Sequence, residues 1–444
     1  MTNDFHNSRR ENSSRDSAKN AAPAAAAAVV ATGLSIARSA HAAGSDLLRL
    51  ALIGCGGRGT GAAINALSTK ANLKLVAMAD AFQDYLDNSL RGIRSQVAKE
   101  KVDVPKERQF VGLDSYEKAI AADVDMVLLC GPPGFRPRQF EAAVKAGKHV
   151  FMEKPVATDA PGYRKVVAAN AEAKRKNLIV GVGHHLRHEI KHKEAIPRIH
   201  DGTLGRVLYL RIYFNSSGVW TRPRQPGQTE MQHQVRNWYY FTWLSGDHIV
   251  EQHVHDIDVA NWMMKDQHPV RANAMGGRQV RIGKQYGEIF DHHSVEFEYP
   301  DGTRCFSLCR HIPGCWESFA EYAHGTKGQA YIEGHGDAIL TIDGQKPMKW
   351  KRGPDGHQLE MDDLFAAMAA GKPYNEGDYG AVASMTAVLG RMASYSGKVV
   401  TWDEAVSSTL DLAPEQWTWD AKTKTVPGPD GIYPCAIPGV SRAW

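Results

Sequence analysis

The sequence predicts an α/β domain with a doubly wound parallel sheet, followed by an α+β domain with a large, mostly antiparallel, open sheet. Three observations support this prediction. Short apolar runs alternate with helical segments from Leu48 to about residue 182, which is typical of a parallel sheet covered by helices. The first run ends directly in a glycine-rich turn, Gly54 to Gly59. After residue 186, alternating strands are separated by turn signals such as Pro300-Asp301-Gly302, which indicates an antiparallel sheet with one open face.

Each predicted element follows from its local pattern, because apolar runs indicate buried strands and helical spacing indicates helices. In the first domain the predicted strands are 48–53, 73–79, 126–130, 149–152 and 178–182, and the predicted helices are 62–67, 140–146 and 161–176. Gly147 is placed to cap the second of these helices. In the second domain the predicted strands are 207–214, 295–299, 305–309 and 338–342.

These patterns divide the chain into four parts. We predict a signal peptide in residues 1–42, the parallel-sheet domain in 47–185, the α+β domain in 186–420 and an irregular tail in 421–444. A length of 444 residues suits two or three domains. Hydrophobic residues make up 43% of the chain, which is enough for sizeable buried cores.

The N-terminal segment carries the features of an export signal. Arg9-Arg10 precedes an alanine-rich apolar stretch from Ala21 to Ala37, and Ala40-His41-Ala42 resembles a cleavage site. Paired arginines favour the twin-arginine route, although Asn12-Ser13 stands where that signal normally has an apolar pair. The stretch is shorter than the ~20 residues that span a bilayer. We therefore expect a periplasmic or otherwise exported protein without a membrane anchor.

The net charge argues against a nucleic-acid-binding protein, and the spacing of the cysteines argues against a metal site built on them. The formal net charge of +4 gives no basic footprint for nucleic acid. The six cysteines have no metal-like spacing, and we assign no metal ligand. Cys305 and Cys309 would lie roughly 13 Å apart along a strand, too far for a disulfide, and most of the cysteines are expected to be buried thiols. An oxidised pair that includes Cys315 or Cys435 stays open as an alternative.

The glycine-rich turn has the pattern G-x-G-x-x-G between a strand and a helix. Its glycines allow a tight turn, close approach of the backbone to a pyrophosphate and close packing of helix on strand, as in a Rossmann domain. Asp80 ends the second predicted strand, where it can accept hydrogen bonds from ribose hydroxyls, and no arginine follows it directly, which favours NAD over NADP. We assign dinucleotide binding to Gly54, Gly56, Gly57, Arg58, Gly59 and Asp80.

A second motif, Glu153-Lys154-Pro155, stands at the end of another predicted strand of the same sheet. Ligands of such sheets lie beyond the carboxyl ends of the strands. A lysine beside a cationic oxidised nicotinamide would have its ammonium form disfavoured, so Lys154 is a candidate general acid/base. The alternative is a surface lysine followed by a loop proline.

The third motif runs from Glu251 to Asp258. At helical spacing Glu251 and His255 are i and i+4 and share a face. A carboxylate beside an imidazole fixes its tautomer and raises its basicity, so we predict that Glu251 orients a catalytic His255. A metal site formed by Glu251, His253 and His255 on one face of a strand, and a solvated histidine cluster, are the alternatives.

Polar and aromatic residues around these motifs suit a sugar, which offers apolar C–H faces and a ring of hydroxyls. Core packing is the alternative for the aromatic side chains. The candidate substrate-binding residues are His184, Arg187, Arg236, Trp238 and Tyr239.

Together these motifs make the chain resemble the glucose–fructose oxidoreductase, inositol dehydrogenase and rhizopine-catabolism (Gfo/Idh/MocA) family from about residue 47 to 410. The resemblance is carried by the turn from Gly54 to Gly59, by Gly131-Pro132-Pro133, by Glu153-Lys154-Pro155 and by the stretch from Glu251 to Asp258.

The resemblance implies hydride transfer between NAD(P) and a sugar, sugar derivative or cyclitol, with Lys154 as the motif lysine. It also implies cofactor contacts by Pro132, Pro133, Glu153 and Lys154. His255 matches the histidine of the family's Asp-x-x-x-His pattern, while Glu251 stands where aspartate is usual. Residues 1–42 resemble the export signals of members that hold their cofactor tightly, and family members are often dimers or tetramers.

Two other functions are compatible with these features. Some relatives are redox-neutral glycosidases, which oxidise a sugar transiently, eliminate the glycosidic substituent and then reduce the product again. A non-catalytic dinucleotide or sugar sensor is the third hypothesis, against which Lys154, His255 and the export signal argue.

Overall fold

The computed structural model describes residues 47–444, so the predicted signal peptide lies outside the described residues. The first domain contains strands β1 Leu48–Ile53, β2 Leu73–Asp80, β3 Gln109–Val111, β4 Met126–Leu129, β5 His149–Met152 and β6 Val180–Val182. Its helices are α1 Gly57–Leu67, α2 Gln83–Arg94, α3 Ser115–Ala121, α4 Arg136–Lys145 and α5 Ala160–Arg175. The strands are parallel and lie in the order β3-β2-β1-β4-β5-β6.

Alternation along β1 explains why this sheet is buried on both faces. Ala51 and Ile53 belong to an apolar core that includes side chains of α3, α4 and α5. Leu50 and Leu52 point to the opposite side, where α1 and α2 supply the second core. Successive strand residues face opposite sides of a sheet, so an almost wholly apolar run is what a doubly covered strand requires. The predicted doubly wound sheet is confirmed.

The second domain is built on a nine-stranded mixed sheet. Its strands are β7 Val207–Ser216, β8 Arg271–Gly277, β9 His292–Glu298, β10 Arg304–His311, β11 Ser318–Gly325, β12 Gly328–Glu333, β13 Ala338–Ile342, β14 Met348–Trp350 and β15 Val400–Thr401. They lie in the order β14-β13-β12-β11-β7-β10-β9-β8-β15. Only the pair of β7 and β10 is parallel. This confirms the mostly antiparallel second domain.

Eight helices accompany this sheet in the described chain: α6 Ile190–His200, α7 Glu230–Arg236, α8 Thr242–Ser245, α9 His248–Glu251, α10 Val254–Met263, α11 Gly356–Ala369, α12 Gly377–Ser396 and α13 Trp402–Ser407. Residues of α6, α10 and α12 join the core on one face of the sheet. The long α12 also connects the domains, because the buried Arg391 donates hydrogen bonds to Thr158 O at 2.7 Å and Gly246 O at 3.1 Å.

Two further features complete the fold. Residues 408–444 contain no helix or strand, yet Trp417 and Trp419 pack against aromatic residues of the first domain. Within residues 47–444, none of the helices combines the length and the apolar character that a bilayer crossing requires.

Local predictions differ from the structure mainly at element ends. The helix predicted from residue 62 begins at Gly57, because the last glycines of the turn already form its first turn. The strand predicted to residue 130 ends at Leu129. Gly147 follows α4 with a φ of +71°, as expected of a glycine just past a helix end.

Candidate active site

The turn between β1 and α1 requires glycine at both of its ends. Gly54 has a φ of +96°, and a Cβ there would lie 2.2 Å from the backbone nitrogen of Gly131. A Cβ at Gly59 would lie 1.9 Å from Gly54 O, so α1 packs directly on the turn. Gly56 has no heavy atom within 4 Å of its hypothetical Cβ. The turn therefore combines close packing with the open cradle that a pyrophosphate needs.

The first turn of α1 adds favourable electrostatics to this cradle. The helix begins at Gly57 and has no acidic side chain in its first turn, so its N-terminal amide groups can bind an anion. Arg58 extends from the same turn to the buried Glu153, with Nε 2.9 Å from Oε1. This ion pair joins the glycine turn to the Glu153-Lys154-Pro155 motif, two regions that the sequence analysis assigned separately to the cofactor.

Asp80 lies at the carboxyl end of β2, beside the same turn. Its carboxylate accepts hydrogen bonds from Cys55 N at 2.6 Å and Phe82 N at 2.9 Å. Burial raises the pKa of Asp80 to about 6, because a low-dielectric environment disfavours the charged form. The two amide donors fix the carboxylate where a ribose of a bound dinucleotide would lie.

A cavity of about 330 Å³ follows the carboxyl edge of the first sheet. Of the predicted cofactor residues, its walls include Gly54, Gly56, Gly57, Arg58, Asp80 and Pro132. Trp220, Arg222 and Trp238 of the second domain form the facing wall together with Val235. The other predicted cofactor residues, Gly59, Pro133, Glu153 and Lys154, do not line the cavity, and Pro133 begins the helical turn Pro133–Phe135. The cavity thus lies between the glycine turn and the second domain, where the adenosine and pyrophosphate part of a dinucleotide would bind.

Lys154 follows β5 at the same edge of the sheet and makes a specific contact with the second domain. Its Nζ lies 2.6 Å from the backbone oxygen of Glu251 and 3.3 Å from Glu251 Oε1. Both side chains are nearly buried, at 11% and 12% exposure. The amine is therefore held in one position by a carboxylate and a carbonyl oxygen.

His255 lies in a cluster of imidazoles beside this ion pair. Its ring is in edge contact with His185, at 4.7 Å between centroids, and with His184 at 6.1 Å. His357 stacks on His185 at 4.0 Å. Burial, followed by the charge of Lys154, holds the pKa of His255 well below its usual range. His255 is therefore a neutral imidazole, and its Nδ1 is buried without a hydrogen-bond partner in the described chain.

The prediction that Glu251 and His255 share one face of a single helix is wrong. The chain forms two helices, α9 and α10, which are interrupted at Gln252 and His253. The side chains at the break explain it, because Gln252 accepts a hydrogen bond from Tyr239 Oη at 3.2 Å and His253 is bonded to other groups of the second domain. Glu251 consequently contacts Lys154. It therefore orients Lys154 and not, as predicted, His255.

The alternative metal site of Glu251, His253 and His255 is also excluded by these contacts. His253 Nδ1 lies 3.1 Å from Asp256 Oδ2, and His253 Nε2 lies 2.8 Å from Ser307 Oγ. Both ring nitrogens are thus occupied, and the side chain does not converge with those of Glu251 and His255.

Arg187 is not available for a sugar. Its guanidinium forms a bidentate pair with the buried Asp258, at 2.7 and 2.9 Å, and a third contact with Asp266 at 2.7 Å. The guanidinium carbon also lies 3.8 Å from the ring centroid of Tyr379. The sequence prediction failed here because a pair of this kind depends on residues that lie at least 71 positions away. His184 is 1% exposed and lies next to His255 in the imidazole cluster.

Arg236 is likewise engaged in a structural contact. Its guanidinium pairs with Asp84 of α2 at 2.8 and 2.9 Å and lies over the ring of Phe82 at 4.0 Å. Trp238 lines the dinucleotide cavity. Tyr239 is buried and reaches Gln252, next to Glu251. Of the five candidate substrate residues, His184 and Tyr239 thus remain near the Lys154–Glu251 pair.

The structure adds residues that the sequence analysis did not assign. His357 reaches the imidazole cluster from the start of α11, and Trp220 and Arg222 line the cavity from an irregular loop. No local pattern marks these positions. For His185 the sequence offers one signal: it directly follows the assigned His184, so the two form an adjacent pair of histidines.

Comparisons with known proteins match both domains of the chain. A family model described as "Oxidoreductase family, NAD-binding Rossmann fold" (GFO_IDH_MocA) matches residues 48–184, and the model of the GFO/IDH/MocA C-terminal domain matches residues 192–331. The chain is 27% identical over 298 residues to an inositol 2-dehydrogenase of Rhizobium meliloti, a match that covers 66% of this chain and 78% of that protein. It is 29% identical to a 1,5-anhydro-D-fructose reductase of Ensifer adhaerens over 163 residues, which cover 37% of this chain and 44% of that protein.

Solved structures show the same fold at lower sequence identity. A levoglucosan dehydrogenase in complex with NADH and levoglucosan is similar with a TM-score of 0.64 at 16% identity, covering 80% of this chain and 99% of that one. The aldose-aldose oxidoreductase from Caulobacter crescentus gives a TM-score of 0.63 at 19% identity, covering 80% and 100%. With both domain models matched in order along one chain, the protein belongs to the Gfo/Idh/MocA family of oxidoreductases.

Proposed function

We propose that this protein transfers a hydride between NAD and a hydroxyl-bearing carbon of a sugar, sugar derivative or cyclitol. The observation that carries the proposal is the buried contact of Lys154 with Glu251 beside a neutral His255, at the edge where the glycine turn and Asp80 form the dinucleotide cavity. The names of the relatives, which are dehydrogenases and reductases of polyols and sugars, support this substrate class.

The residues of the chain account for binding and proton transfer. Gly54, Gly56 and the N-terminus of α1 would hold the pyrophosphate, and Asp80 would accept hydrogen bonds from a ribose. When bound, the nicotinamide accepts or supplies the hydride. Lys154 exchanges a proton with the substrate hydroxyl, and the neutral imidazole of His255 beside it orients that hydroxyl by a hydrogen bond.

The choice of NAD over NADP is supported by Asp80. Its carboxylate is held rigidly by two backbone amides, and Ala81-Phe82 follows it without a basic residue. A 2′-phosphate next to this carboxylate would bring two negative charges together. Equilibrium binding of NAD⁺ and NADP⁺ to cofactor-free protein measures the preference.

We also propose that the dinucleotide is held tightly. Trp220 and Trp238 of the second domain close the cavity opposite the glycine turn, and the rings of Trp417 and Trp419 lie behind its walls at Phe135 and Phe82. Release of the cofactor would require these contacts to open. Native mass spectrometry of the purified protein reveals whether NAD remains bound.

The test of the function is turnover with a panel of aldoses, aldonates, glycosides and cyclitols, followed by reduced-nicotinamide absorbance. We expect Lys154→Ala to reduce kcat about 10²- to 10⁴-fold, the usual contribution of a general acid/base, with NAD⁺ affinity retained. Lys165→Ala, which changes a half-exposed lysine of α5, is the matched control. Full turnover by Lys154→Ala would refute the role. Glycoside cleavage without net NADH formation would instead identify the redox-neutral glycosidase, and absence of any reaction would favour the sensor.

Export remains a proposal based on residues 1–42. Arg9-Arg10, the alanine-rich stretch and Ala40-His41-Ala42 support a twin-arginine signal. N-terminal sequencing of the mature protein from the periplasmic fraction would locate the cleavage site.

Homo-oligomer formation is proposed for the open face of the second sheet. Partly exposed aromatic side chains of neighbouring strands contact one another there, including Tyr213 with Tyr322 at 5.9 Å and Tyr209 with His324 at 4.4 Å. An exposed aromatic face of this kind suits a partner surface. Light scattering of the purified protein distinguishes monomer, dimer and tetramer.

A further inference from the structure

The walls of the dinucleotide cavity carry few charges. Among the described residues that line it, the charged side chains are those of Arg58, Asp80 and Arg222. Arg58 is paired with the buried Glu153, with Nε 2.9 Å from Oε1. The carboxylate of Asp80 accepts hydrogen bonds from two backbone amides. The positive charge of Arg222, which comes from the second domain, is the one that these contacts leave uncompensated.

The guanidinium of Arg222 has no carboxylate partner in residues 47–444. It lies over the ring of Trp220, with Cζ 4.8 Å from the ring centroid, and the side chain of Arg222 is exposed. Trp220 lines the same cavity. A cation over an indole ring is attracted by the ring face, but this contact does not use the N–H donors of the guanidinium. These donors are therefore available to a ligand of the cavity.

Two neighbouring arginines show the opposite arrangement. Arg224 forms an ion pair with Glu230 and donates a hydrogen bond to Tyr433 Oη at 3.1 Å. Arg236 forms two hydrogen bonds with Asp84, at 2.8 and 2.9 Å. Both guanidinium groups are thus engaged by acidic residues of the chain itself. The absence of such a partner at Arg222 within the described chain is a local property of that residue and not of the whole region.

The backbone that carries Arg222 is fixed, although it forms neither helix nor strand. Val219 O accepts a hydrogen bond from Tyr240 Oη at 2.9 Å. Arg222 N donates to Asn237 Oδ1 at 2.7 Å, and the amide of Asn237, which is 0% exposed, donates in turn to Gln285 O at 2.9 Å. Buried side chains of the second domain therefore hold the start of this loop against the cavity.

The chemistry of a dinucleotide matches these free donors. Its pyrophosphate is negatively charged, and the glycine turn offers only backbone N–H groups and the partial charge of a helix N-terminus. A guanidinium adds a full charge and a planar fork of donors that suits phosphate oxygens. A 2′-phosphate would instead lie beside the carboxylate of Asp80, which disfavours it. The pyrophosphate is therefore the better partner for Arg222.

We propose that Arg222 binds the pyrophosphate of the dinucleotide from the second domain, opposite the glycine turn. This inference rests on the proposed binding of NAD and adds to it a contact that the first domain cannot make. The pyrophosphate is then held from two sides, by backbone amides of the first domain and by a guanidinium of the second. Binding of the cofactor thereby links the loop before α7 to the first domain.

The test is the affinity of cofactor-free protein for NAD⁺ and for adenosine, each measured by competition with NADH fluorescence. We expect Arg222→Gln to weaken NAD⁺ binding about tenfold or more, as for the loss of a hydrogen bond between charged groups, and to leave adenosine binding unchanged. Arg206→Gln is the matched control. It removes the same charge from an exposed arginine that directly precedes β7 and does not line the cavity.

Three results would overturn the inference. An NAD⁺ affinity of Arg222→Gln equal to that of the wild type would show that Arg222 makes no contact with the cofactor. An equal loss for adenosine and NAD⁺ would assign it to the adenosine part, and a loss confined to NADP⁺ would assign it to a 2′-phosphate. Wild-type protein that does not bind NAD⁺ would contradict the proposed function itself, so the two failures are distinguishable.

Salt dependence and a conservative variant give a second measurement. The NAD⁺ affinity of the wild type should fall with NaCl concentration more steeply than that of Arg222→Gln, because salt screens an exposed charge. Arg222→Lys, which keeps the charge but not the fork of donors, should regain part of the lost affinity. The Tm of all these variants should equal that of the wild type, since Arg222 forms no ion pair in residues 47–444. Equal salt slopes for the wild type and Arg222→Gln would count against the proposed charge contact.

Discussion

At the scale of single residues, Asp80 illustrates how burial sets the conditions for binding. Its pKa is raised to about 6, above the ordinary value of 3.8, mainly by burial. The folded protein therefore binds a proton that the unfolded chain has already lost between pH of about 4 and 6. Over this window the contribution of Asp80 to folding stability falls as pH rises, and above it the cost is constant.

This shift predicts a pH dependence of cofactor binding. Ribose hydroxyls donate to the ionised carboxylate of Asp80, so binding must displace its proton below pH of about 6. We expect the affinity of cofactor-free protein for NAD⁺ to fall as pH decreases below about 6, approaching tenfold per pH unit. Calorimetric titrations between mildly acidic and neutral pH measure it.

Asp80→Asn provides the control for that experiment. An amide keeps the size of the side chain but does not titrate, so its NAD⁺ affinity should be lower and independent of pH through the same range. A wild-type affinity that is equally flat would contradict the assigned role of Asp80.

At the scale of elements, the break between α9 and α10 shows where sequence reasoning stops. The helix prediction for residues 251–258 used only local spacing. The break depends on contacts of Gln252 and His253 with Tyr239 and Ser307, the latter 54 residues away. Long-range side-chain contacts of this kind override local periodicity, and they cannot be deduced from the motif alone.

The glycine turn was predictable for the opposite reason. Its function follows from backbone geometry within six consecutive residues, from Gly54 to Gly59, and from the strand and helix that flank it. The same holds for Asp80, which ends β2, and for Lys154, which follows β5 of the same parallel sheet. His357 could not be predicted, because only the path of α11 brings it to His185.

The glycine turn predicts that one substitution lowers the stability of the fold, while another weakens cofactor binding and leaves stability nearly unchanged. Gly59→Ala places a methyl group 1.9 Å from Gly54 O, so we expect a large loss of stability, about 2 kcal/mol or more. Gly56→Ala meets no atom within 4 Å and should leave Tm nearly unchanged, while its methyl group obstructs the pyrophosphate and weakens NAD⁺ binding. Thermal unfolding and NAD⁺ titration of both variants measure the two effects. Equal Tm values for the two variants would contradict this separation.

At the scale of the whole molecule, residues of both domains line the dinucleotide cavity, and distant segments support its walls. Trp220 and Trp238 come from the second domain. Behind the walls, Trp419 lies 5.2 Å from Phe82 and Trp417 lies 5.1 Å from Phe135. The tail was expected to be irregular, and it has no helix or strand after Ser407. Its packing on the first domain was not predictable from its composition.

This packing predicts that the tail slows cofactor release. An aromatic pair contributes about 0.5–1.5 kcal/mol, so Trp419→Ala should increase the dissociation rate of NAD about two- to tenfold. Trp350→Ala, which removes an indole on β14 that packs against Arg198, is the control. Stopped-flow displacement of bound NADH measures the rate. Identical dissociation rates for both variants and the wild type would show that the tail does not support the walls of the cavity.

The long stretch of chain between the first domain and these two indoles has a consequence for biosynthesis. N-terminal domains fold first during translation, so a nascent chain presents the glycine turn and Asp80 before residues 417 and 419 have left the ribosome. Until then, the rings of Phe82 and Phe135 have no indole packed against them from these two positions. Capture of the nucleotide in its final, enclosed form is therefore an event that follows the synthesis of residues 417 and 419.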